Sequence, residues 1–199
     1  MNLALFDFDG TITTREMLPD FFWMVVPKYR LIVGQLLLAP LIIGYKVGLV
    51  SGVTVRAAIV RVGLTRVGVA RYEACGVKFA EEILPNVLRP EMVERINWHK
   101  AQGDRVVVVS GAFDVYLSHW CREHNVGLVC SALEHRDGRL TGRYRGDQCV
   151  RKEKSRRVKM AYDLASYKLV YAYGDTPEDA ELLELADKKF YQGKELPSG

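Results

Sequence analysis

Leu3-Ala4-Leu5-Phe6 is a continuous apolar run that ends abruptly in Asp7-Phe8-Asp9-Gly10-Thr11. Four apolar residues in a row read as a strand covered on both faces, which is how strands of a parallel sheet look. A buried strand that delivers acids at its carboxyl end places them in the crevice where open α/β sheets bind ligands. Asp7 and Asp9 are two apart, so in strand geometry they project to one side. Such carboxylates repel each other unless a cation lies between them or one keeps its proton. Oxygen-only ligands suit Mg²⁺, which favours one or two carboxylates plus substrate phosphate and water. Asp-Gly is also ordinary turn chemistry, so the rest of the chain has to decide.

The remainder alternates in the manner of a parallel sheet. Pro90 to Gly103 reads as a helix with Pro near its start and Gly at its stop. Arg105 to Val109 is a second buried strand ending at Ser110-Gly111, Phe113 to His124 a helix, and Gly127 to Leu133 a third strand. Asp137-Gly138, between Arg136 and Arg139, is a hairpin turn. Lys152 to Ala165 is basic and helical, and Lys168 to Tyr173 is a core strand ending in Gly174-Asp175-Thr176-Pro177. Thr176 would cap the next helix, with Pro177 at its first position. Asp187 to Tyr191 gives a last short strand. The fold class is therefore α/β: a Rossmann-like parallel sheet core with helices on both faces and right-handed crossovers.

One segment breaks the alternation. Residues 15–80 carry helical patterns and no strand, so they read as a helical insertion, leaving 1–14 and 81–199 as the core. Within it, Met17 to Val26 holds Phe21, Phe22 and Trp23, and Leu31 to Tyr45 is apolar except for Gln35. That second run is shorter than the ~20 residues of a spanning helix, and Pro40 should kink or split it. Core helices of a small helical unit are the first expectation, with a membrane-surface element as the alternative.

Composition narrows the function classes. With 199 residues, 49% hydrophobic and 26% charged, the chain can bury a sizeable core as an ordinary globular protein. A net charge of +4 can attract anionic partners but is too small to argue for nucleic acid. Cys75, Cys121, Cys130 and Cys149 form no C-x-x-C pair, so free thiols are expected. No basic leader precedes the first strand, which reads as a cytoplasmic protein without a signal peptide.

Three strands thus end in chemistry: Asp7 and Asp9, Ser110, and Asp175, with a basic helix carrying Lys154 between the last two. Together these groups suit phosphoryl transfer to a carboxylate. Asp7 would attack phosphorus and become an aspartyl-phosphate. Asp9 would protonate the leaving oxygen and then deprotonate water, given an environment that raises its pKa from ~3.9. Mg²⁺ would be held by Asp7, the Asp9 backbone carbonyl and Asp175. The Ser110 hydroxyl and the N–H groups after it, from Gly111 on, would cradle phosphate oxygens. Lys154 would supply a fixed positive charge, although Lys152 competes for that role and Ser110 could simply cap the following helix.

The order of these motifs resembles the haloacid dehalogenase superfamily: Asp7-x-Asp9-Gly-Thr11, a strand ending in Ser110-Gly111, Lys154, and Gly174-Asp175 with Asp179. The hairpin and the Cys149 to Val158 stretch are similar to subfamily IB, whose members include phosphoserine phosphatases and a phosphatidylglycerophosphatase. The resemblance implies that residues 15–80 are a helical type 1 cap and that Thr11 contacts substrate. It prefers Lys154, because apolar Val158 follows four residues on. It sets Asp179 behind the metal ligands, beside its plain reading as a helix cap. Glu16 matches an acid that faces a substrate ammonium in phosphoserine phosphatases. The expected protein is a Mg²⁺-dependent phosphatase acting on a small-molecule or lipid phosphomonoester. A bulky or amphiphilic ester is preferred and phosphoserine is the alternative. Peripheral contact of the cap with the inner face of a membrane stays open. From another class, a receiver-like signalling module also combines a phospho-accepting Asp, a Ser/Thr and a Lys.

Overall fold

A computed structural model describes residues 1–197. Its main sheet has six strands in the order β3-β2-β1-β6-β7-β8. These are β1 (Leu3–Phe6), β2 (Arg105–Phe113), β3 (Gly127–Ser131), β6 (Val170–Gly174), β7 (Lys188–Tyr191) and β8 (Lys194–Glu195). All pair in parallel except β8, which turns back on β7. β1 lies at the centre, with Leu3 level with Arg105 on one side and Val170 on the other. Its alternate residues feed two separate cores. Ala4 and Phe6 face the larger one with helices α5 (Pro90–Ala101) and α6 (Asp114–Glu123). Leu3 and Leu5 face the smaller one with α7 (Lys152–Ala161) and α8 (Ala180–Leu183). Burial on both faces is what the unbroken apolar run required.

Four helices occupy the stretch between β1 and α5: α1 (Leu18–Val25), α2 (Lys28–Lys46), α3 (Gly52–Leu64) and α4 (Val69–Glu82). Phe21 and Phe79 join the same apolar cluster as Phe6 and Phe8, so the helices are anchored to the sheet through aromatic packing. The hairpin of β4 (Leu133–Arg136) and β5 (Arg139–Tyr144) turns through Asp137 and Gly138, both at positive φ, as a type I′ turn demands. It hydrogen-bonds the α3–α4 connection, with Leu140 N–H donating to Val67 O and Arg66 N–H to Leu140 O.

Several expectations need correcting. α2 is one continuous helix despite Pro40. Pro40 is exposed, so the Leu36 carbonyl that loses its intrahelical donor lies toward water. The same helix is not a core helix: Gly34, which faces Val62 of α3, is its one buried residue. β2 does not end at Val109 but runs on to Phe113 through a bulge, its pairing with β3 shifting between Ser110 and Phe113. Lys152 to Ala165 is helical only to Ala161, with a separate 3₁₀ turn at Leu164–Ser166 where Asp163 accepts from Ala165 N–H.

Candidate active site

The carboxyl ends of β1, β2 and β6 converge with the start of α7. Asp7 is the first residue beyond β1, and its N–H still donates to Tyr173 O of β6 at 2.9 Å, so the sheet holds its backbone rigidly. The chain then winds tightly, with Ile12 and Thr13 N–H both donating to Phe8 O. Gly10 sits at φ +79°, and a Cβ there would overlap the Asp175 carboxylate. Only glycine satisfies both conditions. The Arg89 guanidinium closes the loop from outside, donating to Gly10 O and Thr13 O.

Lys154 projects from the first turn of α7 into the buried interior. Its Nζ lies 2.5 Å from Asp7 Oδ1 and 2.6 Å from Asp179 Oδ1. Desolvation opposes the charge on Lys154, but the two carboxylates outweigh it and its pKa is raised. Burial pushes the Asp7 carboxyl up to about 7, while the Lys154 charge pulls the other way. Asp179 points its second oxygen at the turn after β6, accepting from the N–H groups of Asp175 and Thr176 and from the Thr176 hydroxyl. Asp179 is therefore both a capping-box residue and a partner of Lys154.

Asp9 accepts from Met17 N–H at 3.2 Å, and its carboxyl is held well above the usual range by burial, then by Glu16 and Asp7. The Ser110 hydroxyl accepts from Ala112 N–H across the bulge, which orients Oγ at the cleft floor. Asp7, Asp9, Ser110, Gly111, Lys154 and Glu16 all line one cleft of about 60 Å³. Thr11 lies on the other side of the loop, its hydroxyl donating to Asp175 Oδ1 at 3.0 Å. Both Thr11 and Asp175 face a neighbouring polar cavity. Lys152, the competitor of Lys154, is exposed at the start of α7.

Carboxylate oxygens of Asp7, Asp175 and Asp179 lie within 4.8 Å of one another. With Asp9 nearby, four acids surround one buried lysine. Their excess negative charge and oxygen-only chemistry fit a hard divalent cation of the Mg²⁺ type. Asp179 has both oxygens engaged by Lys154 and the Thr176 turn, so Asp7 and Asp175 are the freer pair.

Arg56 is a cleft residue that sequence reasoning missed. It reaches in from α3, donating from Nη2 to both Glu178 oxygens at 2.9 and 3.0 Å and from Nε to Gln148 Oε1 at 3.1 Å. Gln148 in turn donates to Val53 O at 2.7 Å, pinning α3 against the core. A lone arginine on a helix carries no spacing signal that could have identified it. Glu16 lines the same cleft as Arg56 and Glu178. Desolvation raises its carboxyl and the Arg56 charge opposes that rise.

Comparison with known proteins gives the family and the fold. The family model for haloacid dehalogenase-like hydrolases matches residues 4–184. Protein CicA of Caulobacter vibrioides is 34% identical over 197 residues, covering 96% of this chain and 85% of CicA. A protein of unknown function from Bordetella pertussis Tohama I superposes with a TM-score of 0.73 at 22% identity, over 94% of this chain and 88% of that one. A substrate-bound phosphoserine phosphatase superposes with a TM-score of 0.69 at 20% identity, over 96% and 85%. At such identities the two structures establish the fold.

Proposed function

The chain belongs to the haloacid dehalogenase-like hydrolases, and from that premise we propose that it is a Mg²⁺-dependent phosphomonoesterase working through Asp7. Membership in a hydrolase family sets aside the receiver-like reading. The observation that carries the proposal is the placement of Asp7, Asp9 and Ser110 in one small cleft with Lys154 bonded to Asp7.

In this reading Lys154 holds Oδ1 of Asp7, leaving Oδ2 to attack phosphorus. The P–O bond to the leaving group breaks as the P–O bond to Asp7 forms. Asp9, protonated because its environment raises its pKa, gives its proton to the departing alkoxide. The resulting Asp9 carboxylate takes a proton from water, which attacks the aspartyl-phosphate and releases phosphate and free Asp7. Ser110 Oγ and the Gly111 N–H contact the phosphate oxygens. Asp7, the Asp9 carbonyl and Asp175 would hold Mg²⁺, which when bound offsets repulsion between anionic nucleophile and phosphate. Thr11 acts by orienting Asp175, and Asp179 by orienting Lys154 and the Asp175 turn.

We read residues 15–80 as a cap whose Glu16 and Arg56 face the cleft, and the protein as cytoplasmic with its cap able to approach a membrane. From 21 to 72 the chain has seven Lys/Arg and no acid. On α2, Ile32, Leu36, Leu37 and Ile43 are exposed, Leu36 by 73%. An apolar helix in a cationic segment suits an amphiphilic anionic ester. Phosphoserine is the second reading, favoured by Glu16 for an amine and Arg56 for a carboxylate. Against it, both Glu178 oxygens already occupy Arg56. A hydrolysis panel of phosphoserine, sugar phosphates, nucleotides and lipid phosphomonoesters, with and without Mg²⁺, tests the proposal. Absence of Mg²⁺-dependent phosphate release from every member would overturn it.

A further inference from the structure

The cleft at Asp7 is small, about 60 Å³, and its walls are charged. A bulky substrate with its phosphate at Asp7 therefore extends beyond it. Immediately beside it is a groove of about 210 Å³ between α1, α2 and α3, walled by Phe22, Trp23, Leu38, Ile42, Ile59 and Val62. One residue, Leu18, lines both spaces, so the groove and the cleft adjoin at Leu18. The close approach that forms its floor depends on Gly63, where a Cβ would meet the Phe22 ring at 2.5 Å.

The groove offers an occupant few hydrogen-bonding side chains, chiefly Gln35 at its edge and Arg30. Its walls are helices, whose interior backbone groups are already paired. Arg30, its one cation, donates to Val62 O and Thr65 O at 3.0 Å each. A peptide lying there would leave most of its N–H and C=O groups unpaired, which is costly. A hydrocarbon chain has no such groups to lose. The polar cavity on the Asp175 side, walled in part by Arg89, Arg95 and Gln192, suits a chain far less.

We propose that the α1–α2–α3 groove binds the hydrocarbon chain of a phosphomonoester whose head group occupies the Asp7 cleft. This rests on the phosphatase reading above and specifies its substrate class. Leu18 is the bridge over which the chain passes, and Trp23 reports its arrival. Where the chain outgrows the groove, it continues along the exposed apolar surface of α2.

A series of n-alkyl phosphates from ethyl to decyl, each below its micellar concentration, tests the proposal by phosphate release. The expected kcat/KM rises roughly fourfold per added methylene while the groove fills, then levels off. Leu38→Asp and Val62→Phe should flatten that rise to within about twofold overall while leaving ethyl phosphate turnover unchanged. Circular dichroism checks that each variant folds. Binding is read independently of turnover from Trp23 emission in an Asp7→Asn background, taken as the difference from the same protein carrying Trp23→Phe, because Trp98 and Trp120 also emit. n-Decyl phosphate should shift it to the blue with saturation and ethyl phosphate should not. Chain-length dependence of this signal without hydrolysis of any ester would uphold the groove and overturn the phosphatase reading. Hydrolysis with a flat chain-length series and no Trp23 shift would overturn the groove alone. A dimer in sedimentation that Leu38→Asp dissolves, together with a flat series, would give the groove to a second copy and likewise overturn the proposal.

Discussion

Lys154 and Asp7 are 147 residues apart in sequence, yet the Lys154 ammonium lies 2.5 Å from the Asp7 carboxylate with both side chains buried. This contact ties the end of β1 to the first turn of α7, and Asp179 completes it from the turn after β6. Three separate chain segments thus meet at one cation.

Lys154→Met should therefore damage stability and activity together. Removing one partner leaves buried carboxylates without a counter-charge, at a cost of ~3–5 kcal/mol. Denaturant unfolding measures the first effect and phosphate release the second. A variant as stable as wild type would show that the carboxylates are protonated or solvated instead.

Asp7→Asn should reduce turnover to background while leaving the fold intact, since Lys154 keeps Asp179 as its partner. Asp9→Asn should lose ~10²–10⁴-fold in kcat, the usual contribution of a positioned acid–base group. Trapping the acyl-phosphate under acid quench distinguishes the two: wild type forms it and Asp7→Asn does not. Turnover of Asp7→Asn within tenfold of wild type would remove Asp7 from the nucleophile's role.

Gly10→Ala should weaken Mg²⁺ binding by about 10- to 100-fold, because the new methyl displaces the Asp175 carboxylate proposed to hold the metal. The left-handed backbone adds ~1–2 kcal/mol of strain. Magnesium titration by calorimetry is the measurement. Chelator should abolish phosphate release and added Mg²⁺ restore it, with Asp175→Asn needing far more metal than wild type.

His99 gives the fold a pH dependence remote from the cleft. Its Nδ1 lies 2.9 Å from Asp104 Oδ2 and its Nε2 2.9 Å from the Tyr173 hydroxyl. An ionised Asp104 only accepts, so the neutral ring donates from Nδ1 and accepts the Tyr173 proton at Nε2. Burial lowers the pKa of His99 below 6.5 despite Asp104. For Asp104, desolvation is outweighed by hydrogen bonds from His99 and Asn2, and its pKa falls below 3.8. Both shifts act with the same sign: the unfolded chain binds more protons in acid, so stability declines as pH falls. The His99 share is fully present above 6.5 and lost as pH drops from there through its folded pKa; the Asp104 share is lost below 3.8. Asp7 and Asp9, whose carboxyls are raised, contribute in the opposite sense over the same range, so the readout is a difference. In urea unfolding from neutral pH to about pH 4, wild type should lose stability relative to His99→Phe as pH drops below 6.5. A difference that stays constant with pH would place the acid sensitivity elsewhere.

The central strand and the acidic turn that follows it were legible because they are local. Four apolar residues followed by Asp-x-Asp-Gly specify a buried strand and an acidic turn without reference to the rest of the chain. The same holds for Thr176-Pro177-x-Asp179, whose capping box is written within four residues. Lys154 was legible only through its resemblance to a motif, since a basic helix gives no hint of which lysine is buried. Tertiary structure alone decided what depends on distant segments meeting. Arg56 became a cleft residue because Glu178 and Gln148 hold α3 against the core. Thr11 turned away from the cleft because the Asp175 carboxylate accepts its proton. α2, apolar enough for a core, stayed at the surface because its closest packing is the approach of Gly34 to Val62 of α3, with Leu31 alone joining the main core from its first turn. Hydrophobicity tells a chain what it gains by burial, but only the complete packing determines which apolar surface finds a partner.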